Sequence, residues 1–474
     1  MSPVVRRTVG ILIFSEFLIC LGMSLIFPVM PFIKNSLHLS ATDIGVMSSL
    51  YALTQFVASP FIGRWSDRIG RKPILVAGLA LFAASDVLFA LTNHLYMFDL
   101  SRIIGGLSAG MFVPTAQALA ADVTDVRQRA KVIGWLSASF SGGLILGPGL
   151  GGLLAGFGFK VPFWVAAGLG LCGLVATIGW LPDDRQHTHA TAVVQPDLQA
   201  SDWRRVLGGP MTMLFVLILV SSFGLQGFES IYSIFVNEVF AFTLQDIALV
   251  LTLNGIISLI AQVLFFDHLV AWLGEVRVTR YAFLFSAIAV LEILFTHSKP
   301  VVMVATLVAF TAFDLLRPAI TTLLTKQSVN NQGVINRLNM SLTSIGNILG
   351  PLVSSALLDW HYQVPYTVVV VFLAASYLLT FTVHLGTKKK RLGAYSSSTT
   401  VNRWRTKCGV SNSAIKAAAR FPVVTVDWPA ALVMISSLPT RYRVFGPGTK
   451  LNCGDTATQF TFSVQVKNVY SWAC

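Results

Sequence analysis

The chain has 474 residues, of which 54% are hydrophobic and only 12% charged. Soluble globular proteins carry about 25% charged residues, so a soluble enzyme is excluded as the default. A disordered chain, poor in Phe, Leu and Ile, is excluded as well. A mean hydropathy of +0.70 spread over long apolar runs indicates a polytopic membrane protein, because one transmembrane helix takes about 20 apolar residues. The net charge of +13 raises the question of nucleic acid, and its distribution answers it. Lys and Arg gather in alternate loops: Arg6 and Arg7; Arg64 to Lys72; Arg127 to Lys131; Arg185 to Arg205; Arg277 and Arg280; Lys326 and Arg337; Lys388 to Arg391. The intervening loops hold only Lys34, Lys160 and Lys299. This asymmetry places both termini in the cytoplasm and accounts for the charge without a nucleic-acid partner.

The apolar runs fall at 8–30, 43–63, 74–92, 97–121, 132–157, 161–181, 211–238, 245–266, 279–296, 300–324, 334–358 and 365–386. They predict an all-α membrane protein of twelve transmembrane helices in two bundles. The first run follows two arginines but is too long for a signal peptide and lacks a small-residue cleavage site, so it counts as helix 1. Residues 1–181 form one six-helix bundle and 209–391 the other, and the polar stretch 182–208 is a cytoplasmic linker. His187 and His189 in that stretch are solvated loop residues, too few for a metal site. Landmarks repeat between the halves: Asp43-Ile44 and Asp246-Ile247, Gly147-Pro148 and Gly350-Pro351, Val113-Pro114 and Arg317-Pro318, about 203 residues apart each time. Two repeats with a site between them are a transporter architecture. The five cysteines are scattered without metal or disulfide spacing. After Lys388–Arg391 no further spanning run occurs, and 392–474 reads as a poorly ordered or non-native tail.

Four features carry chemistry. The loop after helix 2 reads Gly63-Arg64-Trp65-Ser66-Asp67-Arg68-Ile69-Gly70-Arg71-Lys72-Pro73. Its glycines permit a tight turn, and Asp67 among the cations provides a latch that breaks when the halves rock. Helix 4 carries Arg102 before Gly105-Gly106. A charge inside the bilayer is costly and marks a pathway or relay; pairing with Asp99, three residues back, is the alternative. Helix 5 carries Gly143, Gly147, Pro148, Gly151 and Gly152, whose spacing lets helix backbones approach closely. Helices 7 and 10 carry Glu229 and Asp314. Desolvation disfavours an ionised carboxyl, which suits reversible protonation. Arg317 stands three residues from Asp314 and is positioned to pair with it, which would leave a structural ion pair and an inert Glu229 as the alternative.

The loop resembles the signature Gly-x-x-x-Asp-Arg-x-Gly-Arg-Lys of the major facilitator superfamily. The helix 5 string resembles the motif of its drug/proton antiporters. Phe223-Gly224-Leu225, Phe228-Glu229, Phe313-Asp314 to Thr321 and Thr343 to Pro351 are similar to NorA-type quinolone and multidrug efflux pumps. The resemblance covers about residues 8–386 and implies a proton-coupled multidrug exporter of amphipathic drugs and dyes in the bacterial cytoplasmic membrane. It also implies a monomer, driven by the proton gradient with no cofactor; no Gly-x-x-x-x-Gly-Lys-Ser/Thr loop for ATP appears. It makes Glu229 and Asp314 the proton-coupling pair. It assigns Arg102, Arg317, Gln55, Asn339 and Asn347 to the substrate cavity, and Tyr232, three residues beyond Glu229, is placed with them. Ser141 and Leu144 depart from the family pattern. So does Glu16 of helix 1, a third titrating group as in some other drug antiporters, or else a side chain that snorkels to the nearby polar end. Asp86 and Glu292 carry no assigned role beyond a structural or interfacial one. The rival readings are a metabolite or sugar transporter on the same fold, whose site needs more fixed hydrogen-bonding groups, and a membrane sensor without flux.

Overall fold

The computed structural model describes residues 3–182, 211–327 and 332–381. Most of the linker and the whole tail lie outside the described residues. The helices are α1 (the span Pro3–Ser36), α2 (Ala41–Ile69), α3 (Arg71–Leu91), α4 (Leu95–Asp122), α5 (Val126–Ala155), α6 (Val161–Trp180), α7 (Met211–Phe240), α8 (the span Leu244–Leu273), α9 (Glu275–Phe295), α10 (Lys299–Gln327), α11 (Gln332–Trp360) and α12 (Val364–Leu379). Among the described residues, eleven are long and apolar enough to span a bilayer, and α12 is a shorter apolar helix. No strand occurs among the described residues. Helices suit these sequences because a bilayer offers no partner for backbone N–H and C=O groups, which an α-helix pairs internally.

Local chemistry sets the helix ends. Ser40 and Asp43 form a reciprocal capping box at the start of α2 (Asp43 N–H to Ser40 Oγ, 3.0 Å; Ser40 N–H to Asp43 Oδ2, 2.8 Å). Thr243 and Asp246 form the same box on α8. The acids that repeat in the sequence are therefore N3 capping residues. The signature stretch is not a loop. Gly63 to Ile69 are the last two turns of α2, and the chain turns only at Gly70, with φ of +103°. Gly274 makes the same turn between α8 and α9 at φ of +81°. Both need the glycine backbone.

The described residues belong to one compact unit. Within it the pairing scheme is duplicated. α1 packs on α5 and α6, α3 on α4 and α6, and α2 on α4; α7 packs on α11 and α12, α9 on α10 and α12, and α8 on α10. The halves meet through α2 with α11 and α5 with α8.

These contacts gather toward the face that carries the α1–α2, α7–α8 and α11–α12 connections. There Lys34 pairs with Glu238 at 2.5 Å, and the Asn35 amide donates to Asn237 at 3.1 Å. Asp359 of α11 accepts from the N–H groups of Ala41 and Thr42 at 2.8 and 2.7 Å. Deeper, the Ser49 hydroxyl donates to the Ile348 carbonyl at 2.7 Å.

Candidate functional site

A cavity of about 190 Å³ lies between the halves. From the first half come Phe27 of α1 and Ser141, Leu144, Ile145 and Pro148 of α5; from the second come residues of α7, α8 and α10. Its titratable lining groups are Glu229 and Asp314, and the charge of one acts on the other. Neither carboxyl has an ion-pair partner among the described residues. Phe27, Leu144, Ile145, Leu225, Leu251, Leu259 and Phe310 supply the apolar part of its wall. Two carboxyls without an ion-pair partner among the described residues, in a cavity with apolar side chains, can hold either protons or an amphipathic cation.

The expected pairing of Arg317 with Asp314 is not seen: the two form no ion pair, and Arg317 is exposed while Asp314 faces the cavity. Positions three apart on an α-helix differ by about 60° in direction, and of the two only Asp314 lines this cavity. Behind the cavity, Tyr232 is fully buried rather than lining it, and packs against Phe228 and Phe310. Gln55 of α2, Asn339 and Asn347 of α11, and Arg102 of α4 are half-buried and lie outside this lining. The Asn339 amide is 3.4 Å from the Thr321 hydroxyl.

Arg102 does not pair with Asp99. Its Nη2 lies 3.7 Å from Oδ1 of Asp86, reached across from α3, and its guanidinium stands 4.7 Å from the centre of the Phe89 ring. Asp86, without a role from sequence, is thus the counter-ion. Glu16 does not snorkel: it is 2% exposed, inside the first bundle, and its Oε2 has no hydrogen-bond partner. Glu292 is exposed on α9.

The helix 5 glycines explain themselves sterically. A Cβ on Gly143 would stand 2.7 Å from the Leu21 backbone nitrogen, and one on Gly151 would overlap the Leu25 carbonyl. Gly147 holds α5 against Ser24, whose hydroxyl donates to the Gly143 carbonyl at 2.9 Å. The opposite edge faces the other half, where a Cβ on Gly149 would lie 2.7 Å from the Thr252 hydroxyl and one on Gly152 would overlap Ala248. In the signature segment Arg71 bonds Asp67 at 2.7 Å, Asp122 at 3.1 Å and Ser66 at 2.5 Å, and Lys72 donates to the Leu181 carbonyl at 2.6 Å. These bonds stay within the first half. Arg68 is exposed.

Sequence reasoning missed the polar wall of the cavity. Asn254, Ser258 and Gln262 line it from α8, and Ser233 from α7. The signal was present as a spacing of four and four within an apolar run, one stripe of a helix. Gln262 sits in a π-turn, Ala261–Phe265, a feature often found at functional sites.

Two related helical halves around a central cavity define a membrane transporter. The chain belongs to the Major Facilitator Superfamily, whose family model matches residues 12–340. It is 38% identical over 373 residues to Multidrug resistance protein 1 of Bacillus subtilis, covering 79% of this chain and 95% of that one. It is 34% identical over 361 residues to the quinolone resistance protein NorA of Staphylococcus aureus, covering 76% and 92%. Among solved structures, the nucleoside transporter NupG aligns with a TM-score of 0.66 at 14% identity, covering 81% of this chain and 98% of that one. A bacterial homologue of the human lysosomal transporter Spinster, inward-facing and unoccupied, gives 0.67 at 16%, covering 81% and 97%. Those two likenesses concern the fold alone.

Proposed function

We propose that this protein exports amphipathic, cationic drugs and dyes from a bacterial cell in exchange for protons, as a monomer in the cytoplasmic membrane. The observation that carries the reading is the cavity between the halves, with apolar side chains around Glu229 and Asp314, which have no ion-pair partner among the described residues. The names and identities of the bacterial relatives support the same substrate class. The Lys/Arg asymmetry supports a cytoplasmic position for both termini. The polar contacts between the halves then lie at the outer face, and this conformation is the one closed to the outside. In the cycle, a drug enters from the cytoplasm or inner leaflet while both carboxyls are ionised. The halves rock, the contacts of Lys34 and Asp359 part, and the drug faces outward. Protons neutralise Glu229 and Asp314, the drug loses its counter-charges and leaves, and the neutral cavity returns.

The test uses inside-out vesicles with an acidic interior. Ethidium or norfloxacin is added, and a pH-sensitive dye reports proton release. Release is expected in wild type and lost in Glu229→Gln with Asp314→Asn. Release that survives the double substitution overturns the assignment of the pair, and no release with any drug overturns drug export.

A further inference from the structure

Three uncharged polar side chains of α8 stand in one stripe on the cavity wall, and the export cycle above uses none of them. Asn254, Ser258 and Gln262 are spaced four apart. Ser258 is 5% exposed. Its hydroxyl lies 3.4 Å from Asn254 Oδ1 and also stands beside the Asp314 carboxyl. A hydroxyl has one proton to donate, so it serves one of these acceptors at a time. An ionised Asp314 is an acceptor only, and a charged acceptor outcompetes a neutral amide. Ser258 then donates to Asp314, and Asn254 Oδ1 is left free toward the cavity. A protonated Asp314 donates its own O–H. With that proton directed at Ser258 Oγ, the serine proton turns to Asn254 Oδ1 and occupies it.

We propose that Asn254 is a substrate-binding acceptor for amphipathic cations bearing N–H or O–H donors, and that the Ser258 hydroxyl withdraws it when Asp314 takes up a proton. The proposal rests on the export reading and deepens it. Protonation then removes both a counter-charge and a hydrogen-bond acceptor from the bound drug. The groups around Asp314 leave it free to act so. α7 faces it with Glu229, and on α10 itself Arg317 makes no ion pair with it. α8, α5 and Phe27 of α1 bring no titratable group to the cavity. The other charged or titratable side chains of α7 and α8 (Tyr232, Glu238, Asp246, Asp267, His268) lie outside its lining. α9 and α11 also pack on α10 and carry Glu275, Arg277, Arg280, Tyr281, Glu292, Arg337 and Asp359. None of these is ion-paired with Asp314.

The experiment measures dissociation constants on the purified full chain at pH 8 and pH 5.5 for two cations. Ethidium carries amino donors and tetraphenylphosphonium carries none. In wild type, acidification is expected to weaken ethidium by a further 3- to 10-fold beyond its effect on tetraphenylphosphonium, about one hydrogen bond. Ser258→Ala is expected to remove that excess, leaving the same pH ratio for both cations. Asn254→Leu is expected to weaken ethidium at pH 8 by a similar factor and leave tetraphenylphosphonium unchanged. Tetraphenylphosphonium binding by each variant reports that it is folded. Equal pH ratios for the two cations in wild type overturn the proposal. So does an undiminished ethidium excess in Ser258→Ala, or an Asn254→Leu effect on both cations or on neither. Failure of wild type to bind either cation at either pH overturns the export reading instead, and this proposal with it.

Discussion

Asp359→Ala tests how the two halves are held at one face. The first four N–H groups of a helix have no partner inside it. In α2 the third helical N–H, that of Asp43, is taken by Ser40, and the N–H groups of Ala41 and Thr42 are taken by Asp359 from the other half, at 2.8 and 2.7 Å. The Thr42 hydroxyl adds a third bond at 2.5 Å. Capping of this kind contributes about 1 kcal/mol, and a carboxylate at a helix N-terminus adds about 0.3–1 kcal/mol. Asp359 is exposed, so the lower half of the combined range applies, about 1.5 kcal/mol. The bonds exist only while α2 and α11 meet at this face. Their loss is expected to shift the equilibrium about tenfold toward the form parted there. Spin labels at Asn93→Cys and His297→Cys, in a background without native cysteines, report the distance across this face. Asp359→Ala is expected to enlarge the long-distance population, and Asp359→Asn, which keeps one acceptor, to enlarge it less. A distance distribution for Asp359→Ala identical to wild type would refute the reasoning.

The Lys34–Glu238 pair at the same face is partly solvated, so Lys34→Ala is expected to move the same distribution by less than about 1 kcal/mol, with the effect shrinking further as salt is raised. Arg102→Ala leaves Asp86 buried and unpaired and is expected to cost about 3–5 kcal/mol; Arg102→Met with Asp86→Leu is expected to recover most of the lost thermal midpoint, and a double variant no better than the single would contradict the pairing. Gly151→Val places a branched side chain where a single Cβ already overlaps the Leu25 carbonyl, so α1 and α5 must separate; loss of monodisperse protein on size-exclusion chromatography is expected, with Gly168→Ala, where a Cβ meets nothing, behaving as wild type.

The helices were legible because each is a continuous apolar run, and ends were legible where a capping acid marked them, as at Asp43 and Asp246. The end of α2 lies several residues beyond the end of the apolar run 43–63. Gly63 looks like a turn glycine in sequence, yet the segment from Arg64 to Ile69 continues the helix and only Gly70 takes a positive φ. Glu229 and Asp314 stood out because ionised groups are rare and costly in a membrane run. Asn254, Ser258 and Gln262 did not, since uncharged polar residues cost less there and their meaning depends on which face of α8 meets α5. Partners across helices were the least legible. Asp99 is near Arg102 in sequence, whereas Asp86 reaches it only because α3 packs on α4. The same reach between elements makes a lone Glu16 in α1 a buried residue inside the first bundle.

The duplicated helix scheme therefore carries an unequal distribution of charge, and that inequality bears on exchange. In the first half the buried acid Asp86 has its cation in Arg102, while the second buried acid there, Glu16, lies outside the cavity lining. In the second half Glu229 and Asp314 face one cavity with no cation lining it among the described residues. A matched buried pair is neutral whichever way the halves rock, and removing either partner is what costs energy. An unmatched pair of carboxyls must be compensated from outside, by protons or by a cation. Under the export reading those two occupants compete for the same groups in a cavity of about 190 Å³. Coupling then needs no long pathway between separate sites: a drug bound excludes the protons, protons bound dismiss the drug, and alternating access converts that competition into exchange.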